Sequence, residues 1–396
     1  MAQKAETVQE AFENRLDCDE LINFSIQEKI TQRAAELWKG RKKVKGEAAW
    51  VPAPMSGFFP DKKDIWAVKN GDPVKSKFPY IFSPAVDNCG DVMALATMGL
   101  ELQQLGKKPV LVTNFIMEQR SEREVPDLNG ELHQIDGQPA KGIEMALLFG
   151  MAAFLQVGFP RGVMHVDGHS LGFEYWAGKQ NLPVFTMTAM PKLITSAFEH
   201  RMINSCRTVA VGGDVGGVMM MNMIGELGKD YGLAVETVYG EKRAEEVFTD
   251  WGKRKIKGAQ VLFGDDVISS GRTVFQKVLK TAFEAGANNA VVFVTHADLV
   301  QHTLENLNDC QGDVKLVVGD TFPVRPEMEE AVAANQRLLR VPVFESVMKA
   351  AVMDAANLLT DVFTNEDTQV ELLRQTGLGI FPPYVARYRT VADMLK

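Results

Sequence analysis

Short apolar blocks recur along this chain, each followed by a small-residue or acidic turn and then a longer run with helical spacing. Pro79 to Ser83 and Gly162 to Val166 read as strands, Val110 to Thr113 as a buried one, and Asp64 to Val68 as a weaker one. About Val92 to Leu105 and Ile143 to Phe154 read as helices. Asp87 or Asn88 caps the first and Gly106 ends it. The polar stretch from Glu124 to Gln138 reads as a loop. The second half repeats the alternation. Thr208 to Val211, Ala234 to Tyr239, Val261 to Phe263, Asn289 to Thr295 and Val314 to Val318 are predicted strands. Val218 to Leu227, Val274 to Ala285 and Ser346 to about Leu359 are predicted helices. Met219, Met220, Met221 and Met223 read as core filling.

Strand–helix alternation predicts mostly parallel sheets flanked by helices. The fold class is therefore α/β in two tandem domains. The predicted boundaries are a helical N-terminal extension over 1–50, domains over 51–195 and 196–360, and an appendage over 361–396.

A chain of 396 residues has the length for two such domains. Its net charge of −8 argues against nucleic acid and membrane as partners. An acidic chain that holds a phosphorylated small molecule must gather positive charge locally. Cys18, Cys89, Cys206 and Cys310 lie far apart with no CxxC pair, so neither a zinc site nor a disulfide framework is expected. A reducing cytoplasmic setting fits that usage. The polar N-terminus does not read as a signal peptide, and Ile143 to Phe159 is too short to span a bilayer comfortably.

Candidate chemistry sits at the predicted strand ends. Val261 to Thr273, VLFGDDVISSGRT, reads as strand, small-residue loop and helix. Such a loop aims backbone N–H groups, hydroxyls and a helix N-terminus at one spot, which favours an anion. Carboxylates beside it, Asp265 and Asp266, suit ribose hydroxyls and Mg²⁺. The plainer alternative is an ordinary turn with a solvated acid pair. Other strand ends carry Asp167-Gly168-His169, Asp214 within GGDVGG, Glu241-Lys242-Arg243, His296 and Thr321.

Taken in order, these motifs resemble the ribose-phosphate pyrophosphokinase family (phosphoribosyl pyrophosphate synthetases), from about Phe58 to Leu359. The resemblance implies two tandem phosphoribosyltransferase-type domains. It makes Phe59 and Asp61 adenine-binding, although the family's following Gly-Glu is Lys62-Lys63 here. It assigns Arg120, Arg123 and His169 to ATP, and His169 and Asp214 to the metal. Lys242 and Arg243 become catalytic cations, although a further family arginine is replaced by Ala244. Asp265, Asp266, Ser269, Ser270, Gly271, Arg272 and Thr273 become the ribose-phosphate pocket, in which Ser269 and Arg272 depart from the family's loop. His296 and Thr321 match strand-end signals of mainly structural meaning.

The implied activity is Mg²⁺-dependent transfer of a diphosphate group from ATP to the anomeric hydroxyl of a ribose 5-phosphate moiety. The altered loop leaves room for ADP-ribose as the acceptor. A nucleobase-using phosphoribosyltransferase and a non-catalytic regulatory relative are the competing readings. The resemblance also implies a cytoplasmic homo-oligomer, dimer or hexamer, with small-molecule substrates.

Overall fold

The alternation of apolar strands and helices builds two parallel sheets. The computed structural model describes residues 21–23, 57–58, 64–65, 80–86, 89–116, 143–168, 172–203, 207–212, 215–240, 247–322, 324–355, 359 and 365–380. Two compact units divide the chain, Met1–Met187 with Val347–Thr360 and Thr188–Ser346 with Asp361–Lys396.

In the first unit, β1 (Leu21–Asn23) lies within the segment expected to be helical. A short antiparallel pair follows, β2 (Gly57–Phe58) and β3 (Asp64–Ile65). Then come β4 (Tyr80–Val86), α1 (Cys89–Gln104), β5 (Val110–Ile116), α2 (Ile143–Gly158), β6 (Val163–Val166), α3 (Gly172–Lys179) and β7 (Val184–Thr188). The strands β1, β4, β5, β6 and β7 lie side by side in that order, each parallel to the next. Leu95, Met98 and Leu102 of α1, Leu155 of α2 and Phe173 of α3 bury against Ile81, Leu111 and Val163. That apolar contact holds the three helices on one sheet face. Tyr80 donates its hydroxyl to Asp354 Oδ2, 2.6 Å away.

The second unit contains α4 (Met190–Glu199), β8 (Thr208–Gly212), α5 (Val215–Asp230), β9 (Val235–Tyr239), α6 (Asp250–Ile256) and β10 (Gln260–Ile268). A π-helical segment, Val274–Leu279, runs directly into α7 (Lys280–Glu284). Then follow β11 (Asn289–Ala297), α8 (Gln301–Asp309), β12 (Asp313–Gly319), α9 (Glu329–Ala334), β13 (Leu338–Val341), α10 (Val343–Ala355) and α11 (Glu366–Thr376). The parallel sheet has the order β13-β12-β11-β10-β8-β9. Met220, Met221 and Met223 are buried, as core-filling residues should be.

The strands and helices predicted from Pro79 on fall on observed elements, mostly with longer ends, whereas Trp66 to Val68 of the weaker strand, residues 356–358 of the last helix and the Glu124 to Gln138 loop lie outside the described residues. One difference matters. The predicted strand stops at Phe263, but β10 continues through Ile268, so Asp265 and Asp266 are strand residues. Pairing with β11 from Gln260 to Ile268 holds this extension in place, overriding the breaker character of Gly and Asp. Gly264 also meets a packing demand. A Cβ there would lie 3.0 Å from Met220 Cβ and 3.3 Å from Ile224 Cδ1, so α5 can sit close only against glycine. Among the described residues, no helix is long and apolar enough to cross a membrane.

Candidate functional site

The second sheet reverses its direction of growth between β8 and β10. From β8 the chain proceeds outward to β9, then returns to the other side of β8 as β10 and proceeds to β11, β12 and β13. In open parallel sheets, such a reversal opens a crevice at the carboxyl ends of the two strands. The register sharpens this. Pairing of β10 with β8 ends at Phe263↔Val211, whereas pairing with β11 continues to Ile268↔Ala297. The last five residues of β10, Gly264 to Ile268, thus extend past the β8 ladder along the rim of that crevice.

Adjacent strand residues point to opposite faces. Asp265 shares the face of Phe263 and is half-buried; Asp266 shares the face of Gly264 and is buried. The Asp265 carboxylate also accepts from the Asp266 amide, 3.2 Å away. The two acids therefore reach the crevice from different sides of one strand, with Asp265 the more open.

Beyond them, Ser269 and Ser270 are exposed, Gly271 has φ +70°, and Arg272 and Thr273 are exposed. Four consecutive carbonyls here accept protein donors. Ile268 O accepts from the Asp298 amide at 2.9 Å, Ser269 O from the Thr303 hydroxyl, Ser270 O from Asn306 Nδ2 at 2.7 Å, and Gly271 O from the Phe275 amide at 2.9 Å. A trans peptide holds its N–H opposite its C=O. The amides of Ser269, Ser270, Gly271 and Arg272 therefore face away from those donors. The Arg272 amide turns to Ser270 Oγ at 3.4 Å, which leaves the Ser269, Ser270 and Gly271 amides, with the serine hydroxyls beside them, as a row of donors suited to an anion. Through its side chain, Arg272 makes no hydrogen bond or ion pair among the described residues. It stands as an exposed cation at the rim.

Next along the sheet, the buried His296 places Nδ1 2.9 Å from Thr321 Oγ1. That hydroxyl gives its proton to Thr295 O at 2.7 Å, so Nδ1 carries the proton shared with Thr321. Asp320 accepts from the Phe344 amide at 2.8 Å. Burial pushes its carboxyl above the ordinary range, against the opposing pull of that amide and of Arg340 and Lys192. These contacts support the reading of His296 and Thr321 as structural.

In the first unit, β6 is followed by Asp167, which is fully buried at φ +42°. A non-glycine residue there is uncommon and marks a sharply turned strand end. A buried clamp braces the turn. Thr186 donates to Glu174 Oε1 at 2.9 Å, so His165 Nε2 donates to Thr186 Oγ1 at 2.8 Å and lies 3.2 Å from the same carboxylate oxygen. The clamp joins β6 and β7 to the first turn of α3, across the segment that holds Asp167, Gly168 and His169.

Of the sequence-predicted site residues, the structure gathers Asp265, Asp266, Ser269, Ser270, Gly271, Arg272 and Thr273 on one strand end and its loop. Phe59, Asp61, Arg120, Arg123, His169, Asp214, Lys242 and Arg243 lie outside the described residues. Gly212 and Gly240, which precede the Asp214 and Lys242 segments, are adjacent at the same sheet edge, the Gly240 amide donating to Gly212 O at 2.8 Å. Among the described residues, no three His, Cys, Asp or Glu side chains gather as a metal site. Sequence reasoning missed Thr303 and Asn306, which hold the loop from 34 and 36 residues away in the chain.

The fold is that of a two-unit α/β protein with parallel sheets flanked by helices, of the type found in phosphoribosyl pyrophosphate synthetases. The chain is similar to the crystal structure of phosphoribosylpyrophosphate synthetase from Mycobacterium smegmatis, with a TM-score of 0.60 and 17% identity, covering 87% of this chain and 98% of that one. No family model matches the sequence, and no curated protein matches it. At that identity the likeness carries the fold.

Proposed function

We propose that the chain transfers a diphosphate group from ATP to the anomeric hydroxyl of a ribose 5-phosphate moiety. The anomeric oxygen forms a bond to the β-phosphorus, the bond to the oxygen bridging the α- and β-phosphorus breaks, and AMP leaves with that electron pair. The hydroxyl proton passes to solvent. The products are a 1-pyrophosphate and AMP.

The observation that carries this reading is the donor row of the Ser269, Ser270 and Gly271 amides beside Asp265 at the sheet's point of reversal. The row and the Ser269 and Ser270 hydroxyls hold the sugar phosphate, and Asp265 accepts from ribose hydroxyls. Lys242 and Arg243 neutralise charge on the transferring group, and Arg120 and Arg123 hold ATP, on the strength of the sequence resemblance alone. Catalysis is then positioning and charge neutralisation. The sequence resemblance assigns the metal to His169 and Asp214, and carboxylate oxygens such as those of Asp214 suit a hard cation. Mg²⁺, when bound, supplies charge neutralisation at the phosphates. The rest of the proposal is a cytoplasmic homo-oligomer acting on small molecules.

ADP-ribose is a second acceptor favoured by one observation, the exposed Arg272 at the rim, whose side chain has no partner among the described residues. A single sugar phosphate is served by the amide row. A guanidinium outside it suits a further phosphate extending from O5.

The test is AMP release from ATP and Mg²⁺ with ribose 5-phosphate, with ADP-ribose and with no acceptor, repeated with Lys242→Ala. Acceptor-dependent AMP, lost in the variant, supports the proposal. No AMP with either acceptor overturns it in favour of a non-catalytic role. Consumption of phosphoribosyl pyrophosphate with a nucleobase would favour the transferase reading.

A further inference from the structure

The shape of the Ser269–Thr273 loop is imposed by a helix that carries none of the predicted site residues. Thr303 and Asn306 stand three residues apart on α8, so they share one helix face. Thr303 is fully buried, and its hydroxyl lies within hydrogen-bonding distance of both Ser269 O and Asp298 O, the latter at 2.8 Å. Asn306 Nδ2 donates to Ser270 O at 2.7 Å. Gln276 Nε2 reaches Asn306 Oδ1 at 2.5 Å, which fixes the amide so that its nitrogen faces the loop. The other end of α8 is fastened too. Arg337 Nη1 donates to Leu307 O at 3.0 Å and approaches Asn308 O and Cys310 O at 3.4 Å each, capping the helix. The helix is thus a rigid splint with two side chains gripping consecutive loop carbonyls.

We infer that Thr303 and Asn306 are positioning residues that turn the amides of Ser270 and Gly271 outward for an anionic ligand. Neither touches the ligand. Each acts by occupying a carbonyl, which fixes the direction of the opposite N–H. A loop freed of this grip exposes carbonyl oxygens as well as amides, and a carbonyl repels phosphate. The inference rests on the proposed function only in naming ribose 5-phosphate as the ligand; the grip itself is independent of it.

The full-length protein tests this with two near-isosteric variants. Asn306→Asp keeps the shape and the acceptor for Gln276 but removes the donor. Thr303→Val removes the hydroxyl, and Thr303→Ser restores it. Hydrogen exchange in the ligand-free protein is followed at the Phe275 and Asp298 amides, which donate to the loop carbonyls Gly271 O and Ile268 O, and at the β10 and β11 core, and ribose 5-phosphate affinity is measured by calorimetry. Loss of one such bond predicts about tenfold faster loop exchange and about tenfold weaker ribose 5-phosphate binding in Asn306→Asp and Thr303→Val. Core exchange stays unchanged, and Thr303→Ser behaves as wild type. In turnover, the acceptor KM rises while kcat holds. Unchanged loop exchange in both donor-less variants, or exchange that quickens equally in the core, overturns the inference. Should the loop respond while ribose 5-phosphate binds to none of the proteins, the splint stands and the acceptor reading falls.

Discussion

The Cys310 thiol donates to the carbonyl oxygen of Phe275, 3.4 Å away. Phe275 belongs to the π-helical segment that follows the anion loop, and the wider π turn is often found where a helix serves a site. The thiol fastens that turn to the end of α8. Burial pushes its pKa from 9.0 up to about 11, so it remains a neutral donor through the physiological range.

Cys310 should therefore resist alkylation in the native protein at pH 8 and react only on unfolding. The stability it contributes is whole below pH 9, the unfolded value, and declines as pH rises toward about 11, where the folded thiol ionises. Cys310→Ala should cost about 1 kcal/mol at neutral pH by loss of this bond and of buried volume, and should flatten that alkaline decline. Urea titrations of both proteins at neutral and alkaline pH decide it. An equal alkaline decline in the variant would assign it to other groups.

Gly271 must stay glycine on two counts. Its φ of +70° is disfavoured for other residues, and a Cβ would lie 2.4 Å from the Phe275 ring. Gly271→Ala should cost about 1–3 kcal/mol and displace the donor row. Thermal unfolding should show the loss. Ligand binding should fall further than stability predicts, because the amides move even in molecules that remain folded. A variant with unaltered melting and ribose 5-phosphate affinity would contradict the geometry.

Asp320 yields a pH prediction of the opposite sense to most carboxylates. Its pKa is raised, mainly by burial, so the folded state carries a charge penalty at neutral pH. That penalty begins to lift as pH falls through the raised folded value and is gone below the unfolded value near 3.8. Asp320→Asn keeps an acceptor for the Phe344 amide and has no charge to bury. The melting temperature of wild type minus that of Asp320→Asn should therefore rise on acidification. A difference that is constant or falls with decreasing pH would show that the buried carboxylate is not the source.

The sheet-forming blocks were readable because continuous apolar runs dictate buried strands whatever surrounds them. The strand end was set at Phe263 because the apolar run stops there and glycine and aspartate are poor strand formers. Here β11 supplies backbone partners through Ile268, and that long-range ladder outweighs local preference. The loop residues Ser269 to Thr273 were legible as a small-residue turn between strand and helix from their own types. Their supports were not. Thr303 and Asn306 look like ordinary helix residues, and nothing local joins α8 to a loop 34 residues away. Val274 to Leu279 has the apolar spacing of an α-helix, so its π turn was equally hidden.

Asp265 and Arg272 should fail in different ways, because they flank opposite ends of the donor row. Under the proposed reaction Asp265 meets the ribose beside the reacting carbon. Its replacement by asparagine disturbs orientation at the transition state and should lower kcat by about 100-fold, with the acceptor KM little changed. Arg272 stands beyond the first phosphate and touches nothing that reacts. Arg272→Ala should leave kcat intact and raise the acceptor KM, by about 10–100-fold for a lost charge-assisted bond. The acceptor decides how that rise is distributed. If the loop serves ribose 5-phosphate alone, Arg272→Ala weakens that substrate. If the rim holds a second phosphate, the variant weakens ADP-ribose strongly and ribose 5-phosphate hardly at all. Steady-state kinetics of both variants with both acceptors separate the cases. A kcat loss in Arg272→Ala would place the guanidinium at the reacting centre and overturn its assignment to the rim.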